Sequence, residues 1–327
     1  MRTTRSIGSK DPHVAEIPKV YERVLAGASA RSRRFDVAGR SVHLLEDGSG
    51  PPLVLLHGTT ATAGMFVPLL NELHGCRAVA PDRPGHGLSD PIHFPRSSFR
   101  DAAVAWVDSL LDTLELETTA LLGHSGGAMW ALWYALAHPS RVTKLVLLGP
   151  PALPKTRCPL PLRLVATPGV GELLSRVAPP TRKSVLQFAG VMHERETLAT
   201  HPDLVDLFVA TGRDPIRDQS GRAEVRVFAS PVALLSPSGF RRRSRVRPEE
   251  MHRLATPTLV IWGAHEPLGN PSVARAAVEL IPQARLDVLP GGHAPWLGNA
   301  SLTAASVENF VLDEPNQRSA AVTRQLK

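Results

Sequence analysis

Cysteine is nearly absent: Cys76 and Cys158 are the only two in 327 residues. That excludes a disulfide framework and makes a reducing cytoplasm the expected compartment. Long apolar runs are missing too. The longest, Ala128–Ala137, is ten residues, about half of what a membrane helix needs, so no membrane span is expected. Met1–Lys19 carries scattered charge without an apolar core, so no secretory leader is expected there. There is no Gly-rich phosphate loop, no zinc spacing and no HExxH; His193-Glu194 lacks a second histidine four residues after the first. Neither a cofactor nor a metal is therefore expected.

What remains is globular: 43% of residues are hydrophobic and 20% charged. The length suits one large α/β domain or two ordinary ones. A net charge of +7 raises the question of nucleic acid. The surplus lies between Pro151 and Thr256, with 17 Lys/Arg against 10 Asp/Glu, while the rest of the chain holds 20 of each sign. Part of it is the run Arg241, Arg242, Arg243, Arg245 and Arg247. No binding motif or interleaved aromatic accompanies that run, so it reads as a solvated loop and no nucleic-acid partner is expected.

Short apolar runs alternate with segments of helical period. Phe35–Leu45 reads as a hairpin around Val-Ala-Gly-Arg. Strands are expected at Pro52–Leu56, Arg77–Ala80, Thr119–Leu122, Lys144–Leu148, Pro257–Trp262 and Arg285–Leu289. Most are nearly all apolar, as strands of a parallel sheet covered on both faces must be. Helices are expected at Ala63–Leu73, Ser97–Leu116, Ala128–Ala137, Pro271–Ile281 and Ser301–Leu312. The rhythm breaks once, over residues 151–256, too long for a loop in a compact domain. This segment is expected to be a small helical subdomain inserted into a core of residues 35–150 and 257–314. Residues 1–34 form an N-terminal arm with a helix around Val14–Leu25, expected at the surface for want of apolar area, and 315–327 a polar tail.

The chemistry concentrates at Gly123-His124-Ser125-Gly126-Gly127, directly after one strand and before one helix. A strand-to-helix turn this tight strains the serine, exposes its Oγ, and leaves no room for side chains at Gly123 and Gly127. A serine hydroxyl needs an adjacent base. His293, in Pro290-Gly291-Gly292-His293, lies just past the last strand, at the sheet edge where Ser125 also belongs. Glu266, just after the preceding strand, supplies the acid that orients an imidazole; Asp287 is a second carboxylate nearby but lies inside a strand. Backbone donors for an oxyanion are expected from Gly126 and from Thr59 in His57-Gly58-Thr59-Thr60. His57 is expected to be a structural hydrogen-bonder beneath that loop, and His124 and His265 packing residues.

His57-Gly58, Asp82-Arg83-Pro84-Gly85-His86-Gly87-Leu88-Ser89-Asp90, the serine elbow and Gly292-His293 together resemble the α/β-hydrolase superfamily, serine-nucleophile branch. The resemblance spans about Phe35 to Leu312. It implies an α/β-hydrolase fold with a mostly parallel sheet flanked by helices, the insert becoming a helical cap that roofs the pocket. It also makes Asp82–Asp90 a structural loop, with Arg83 a scaffold ion-pair partner. Glu266 stands where most members carry Asp. A serine at the elbow argues against the haloalkane dehalogenase and epoxide hydrolase branches, which use Asp there. The implied activity is a cofactor-free serine hydrolase acting on a small-molecule ester, thioester, lactone or related acyl bond. A carbon–carbon bond hydrolase, an acyltransferase or a non-catalytic ligand-binding protein would use the same site. Leu164, Val165, Leu186, Phe188, Met192 and Phe208 could line an acyl pocket or form the insert's own core. Arginines of the insert would favour an anionic substrate only if they faced that pocket.

Overall fold

The computed structural model describes residues 16–95, 97–232 and 236–313; residues 1–15 of the expected arm and the expected tail 315–327 lie outside them. Eight strands form one sheet: β1 (Arg31–Val37), β2 (Arg40–Asp47), β3 (Pro52–Leu56), β4 (Arg77–Pro81), β5 (Thr119–His124), β6 (Val142–Leu148), β7 (Thr258–Gly263) and β8 (Ala284–Leu289). Their order is β1-β2-β4-β3-β5-β6-β7-β8, antiparallel at β1/β2 and β2/β4 and parallel from β4 to β8. The hairpin turns at Ala38-Gly39, both at positive φ (52° and 78°), the backbone a tight two-residue hairpin requires. β5 and β7 are buried throughout, which is why their sequences show no alternation.

Helices cover both faces. Phe99–Thr113, Gly126–Ala137 and Pro271–Val278 pack on one side; Glu16–Val24, Val67–Leu70 and Ala300–Val311 pack on the other. The helix Gly126–Ala137 stops before His138-Pro139 because proline cannot continue the ladder. β3 lies between β4 and β5, so the connections leaving β3 and β5 run in opposite directions across the sheet. The crevice at their carboxyl ends is where open α/β sheets bind ligands.

Between β6 and β7 the chain forms helices at Leu160–Ala166, Val170–Val177, Arg182–Val191, Arg195–Ala199, Pro202–Arg213 and Pro215–Phe228. The first two are barely covered, burying only Ala166 and Gly171. The expectation of a surface arm does not hold for the described part of residues 1–34. Ile17, Val20, Tyr21 and Val24 of Glu16–Val24 are buried, and Arg23 bonds Asp203 and Asp206 of the helix Pro202–Arg213 at 2.9 and 3.0 Å. Four apolar residues at helical spacing are enough, because the insert supplies the surface they dock on.

Candidate active site

Ser125 directly follows β5 and caps the helix Gly126–Ala137 with φ 51° and ψ −121°. A non-glycine residue holds such a backbone only when its surroundings over-determine it. They do here: the Ser125 N–H donates to the Leu148 carbonyl at 2.9 Å. A Cβ on Gly123 would lie 2.4 Å from the Gly127 carbonyl oxygen, and one on Gly127 would lie 2.1 Å from that of Leu56. The elbow is thus wedged between β3 and its own helix.

The His293 Nδ1 faces Glu266 at 2.8 Å to Oε1 and 3.0 Å to Oε2. The Glu266 side chain is fully buried. A Cβ on Gly149 would lie 2.8 Å from Glu266 Oε2 and 2.9 Å from His293 Nδ1, so only glycine leaves room for the pair. Burial pulls the His293 pKa down, but the charge and hydrogen bond of Glu266, with the charge of Glu194, outweigh it and hold the pKa above 6.5. Asp287 takes no part; its Oδ2 accepts from Ser306 Oγ at 2.5 Å. Ser125 and His293 line one cavity of about 140 Å³. Among the described residues Ser125 Oγ makes no hydrogen bond and faces that cavity.

Thr59 and Gly126 meet beside the serine: a Cβ on Gly126 would lie 3.3 Å from the Thr59 nitrogen and 2.2 Å from its Oγ1. Neither N–H donates elsewhere among the described residues, so both are free for an oxyanion. His57 fixes the backbone beneath. Its Nδ1 donates to the Gly58 carbonyl at 2.8 Å and its Nε2 accepts from the Arg83 N–H at 2.9 Å. Burial, then the Arg83 charge, drives its pKa well down, so it stays neutral and holds both bonds. His124 is buried with Nε2 3.0 Å from the His293 carbonyl oxygen. His265 is not a packing residue; it is exposed, on the turn after β7.

The cavity wall is apolar. Phe188, Met192 and Phe208 line it, with Phe228, Phe240 and Leu268. Leu164, Val165 and Leu186 do not: Leu164 is 40% exposed, and the other two pack into the core. Among the described residues no Arg or Lys lines it, and Glu194 is its one carboxylate. Cys158 is there, but burial pushes its thiol up to about 12, so it is no rival nucleophile. No group of three or more His, Cys, Asp or Glu among the described residues is placed to hold a metal ion. Nor is any helix among them long and apolar enough to cross a membrane.

Two acids of the insert escaped sequence reasoning. Glu224 grips buried Arg83 at 2.5 and 3.0 Å and accepts from Trp130 Nε1 at 3.1 Å. Glu194 accepts from the Gly292 and Ala294 N–H groups on either side of His293. No motif marks either acid, since each acts on residues about a hundred positions away.

The chain matches the alpha/beta hydrolase fold family over residues 51–300. It is 26% identical over 263 residues to a 2-hydroxy-6-oxo-6-phenylhexa-2,4-dienoate hydrolase of Burkholderia cepacia, covering 78% of this chain and 86% of that one. It is 28% identical over 280 residues to a pimeloyl-(acyl-carrier protein) methyl ester esterase of Xanthomonas oryzae pv. oryzae, covering 84% and 100%. Its fold is similar to the solved dienoate hydrolase of Rhodococcus sp. strain RHA1, with a TM-score of 0.71, 20% identity and coverage of 88% and 100%. The strained serine turn, the crevice beside it and this match together carry one conclusion: the chain belongs to the α/β-hydrolase fold family and is a hydrolase of that family.

Proposed function

We propose that the protein is a serine hydrolase that cleaves an uncharged, apolar acyl ester through an acyl-enzyme, using Ser125, His293 and Glu266 as its triad. The observation that carries this reading is the Glu266 carboxylate on His293 Nδ1. It keeps that nitrogen protonated and leaves Nε2 as the base, on the cavity that Ser125 also lines. Ser125 Oγ attacks the ester carbonyl while its proton passes to His293 Nε2. The oxyanion that forms accepts from the Thr59 and Gly126 N–H groups. Collapse breaks the carbonyl–alkoxy bond, and the imidazolium returns the proton to the departing alcohol. Water then attacks the acyl-enzyme, giving one proton to His293, and the acid leaves as Ser125 regains its own.

The wall favours an ester over a carbon–carbon bond substrate of the dienoate kind. A dienoate carries a carboxylate, and this cavity offers it Glu194 and, among the described residues, no Arg or Lys. An uncompensated anion there would be expensive. The test is mass spectrometry after a fluorophosphonate probe, followed by p-nitrophenyl esters from acetate to octanoate and a dienoate. Labelling at Ser125, lost in Ser125→Ala, with turnover that improves with acyl length, supports the reading. No labelling would mark a ligand-binding protein instead, and preference for the dienoate would overturn the substrate class.

A further inference from the structure

The turn that leaves the insert helix Arg182–Val191 lies directly on the His293 loop. Three successive N–H groups of that loop donate to it: Gly292 to Glu194 Oε1 at 2.8 Å, His293 to the Met192 carbonyl at 3.0 Å, and Ala294 to Glu194 Oε1 at 2.9 Å. Glu194 is 4% exposed, and Thr197 Oγ1 bonds its other oxygen. The approach is close enough to dictate sequence. A Cβ on Gly292 would lie 2.3 Å from the Met192 carbonyl oxygen and 2.8 Å from His193 Cβ, and His193 takes a positive φ of 57° to make the turn.

We propose that Glu194 is a positioning residue for His293: from the insert, its carboxylate clamps the backbone on both sides of the base and adds a second negative charge facing the imidazole. The inference rests on the triad reading above. The clamp also joins pocket to base. Phe188, Ala189, Met192 and Leu198 line the cavity on the two helices and turn that carry Glu194, so an acyl chain touching them bears on the element that holds His293. The charged and titratable groups facing the ring are Glu266, Glu194 and His124. Burial and the His293 charge hold His124 well below its ordinary value, which leaves the two acids to set the base. Burial raises the Glu194 pKa, opposed by Thr197, Ala294, Gly292 and His293.

The test compares Glu194→Ala and Glu194→Gln with wild type in ester turnover across pH and in fluorophosphonate labelling rate. Glu194→Ala frees the loop; kcat and labelling rate should fall by on the order of 10²-fold, the usual cost of a misplacement near 1 Å, with KM changing less. Glu194→Gln keeps an oxygen that can accept both N–H groups, so it should lose less than about ten-fold. Because it removes an anion beside His293, the acid limb of its kcat/KM profile should move to lower pH, which a purely structural contact would not do. Wild-type kcat in Glu194→Ala, or an unmoved limb in Glu194→Gln, overturns the proposal. If Glu194→Ala does not fold, the limb of Glu194→Gln decides. Failure of the triad reading would show separately, as wild-type protein that is not labelled at Ser125.

Discussion

Gly126→Ala tests the proposed oxyanion hole without removing a polar group. The new methyl would lie 2.2 Å from Thr59 Oγ1 and 3.3 Å from the Thr59 nitrogen. Thr59 is β-branched, so two of its three staggered χ1 positions put a heavy atom where the methyl must go. The contact with the Thr59 nitrogen is also tighter than ordinary, so the loop must give by a few tenths of an ångström, and on the proposed mechanism the Thr59 N–H shifts off the oxyanion position. Losing one such donor costs about 10²–10³ in kcat, roughly 2.7–4 kcal/mol of transition-state stabilisation. KM should change less, because the apolar wall does not involve this donor. Thr59→Ala alone keeps the backbone donor and should cost less than ten-fold, on the order of 1 kcal/mol. The double variant Thr59→Ala/Gly126→Ala removes the clash at its source and should recover most of the loss, a coupling of more than about 1 kcal/mol between touching residues. The assay is initial-rate hydrolysis of a p-nitrophenyl ester, with thermal melts as a folding control. A kcat within three-fold of wild type in Gly126→Ala, or strictly additive losses in the double variant, would show that Thr59 is not the second donor.

Three more outcomes follow from the same geometry. On the proposed triad His293 must be neutral to act, and its pKa is raised from the ordinary histidine value, so kcat/KM should fall as pH drops through a limb above that ordinary value; Glu266→Gln should lower that limb and cost about 10⁴ in kcat, and a wild-type limb below the ordinary histidine value refutes the assignment. Glu224→Ala strands the Arg83 guanidinium, which is 0% exposed; it should cost about 3–5 kcal/mol, read as a Tm lower by on the order of 10 °C, and a shift under 2 °C contradicts a core–insert tie. Ser125→Gly relieves about 1–3 kcal/mol of backbone strain against about 0.5–1 kcal/mol of lost glycine freedom, so Tm should rise while turnover vanishes, and a lower Tm argues against strain at the elbow.

What could be read from the sequence was local and sterically forced. The bounds of β3 fall at Pro52–Leu56 as the apolar run implies, because a strand buried on both faces has to be apolar end to end. Gly123 and Gly127 flag the elbow because backbone lies within 2.5 Å of any Cβ added there. Glu266 is picked out by its place after a strand end, and the structure sets its carboxylate on His293 Nδ1, whereas Asp287 lies inside a strand and bonds Ser306. The insert offered no such handle. Its Val170–Val177 helix buries only Gly171, so amphipathic period says little about what it covers. The residues that tie it down act across the chain: Arg23 on Asp203, Arg83 on Glu224, and Gly292 on Glu194.

Gly292 shows where the boundary lies. Sequence alone makes it one of two glycines before a histidine, and a flexible approach to the base would explain both. The structure gives Gly291 a φ of +115°, a backbone reason of that kind. Gly292 is glycine for the other reason, that the insert's carbonyl occupies the space of its Cβ. A one-dimensional pattern records that a side chain is missing but not what fills its place. For that reason a motif can point to His293 while the acid bonded to the N–H groups on either side of it stays hidden until the insert is seen against the loop.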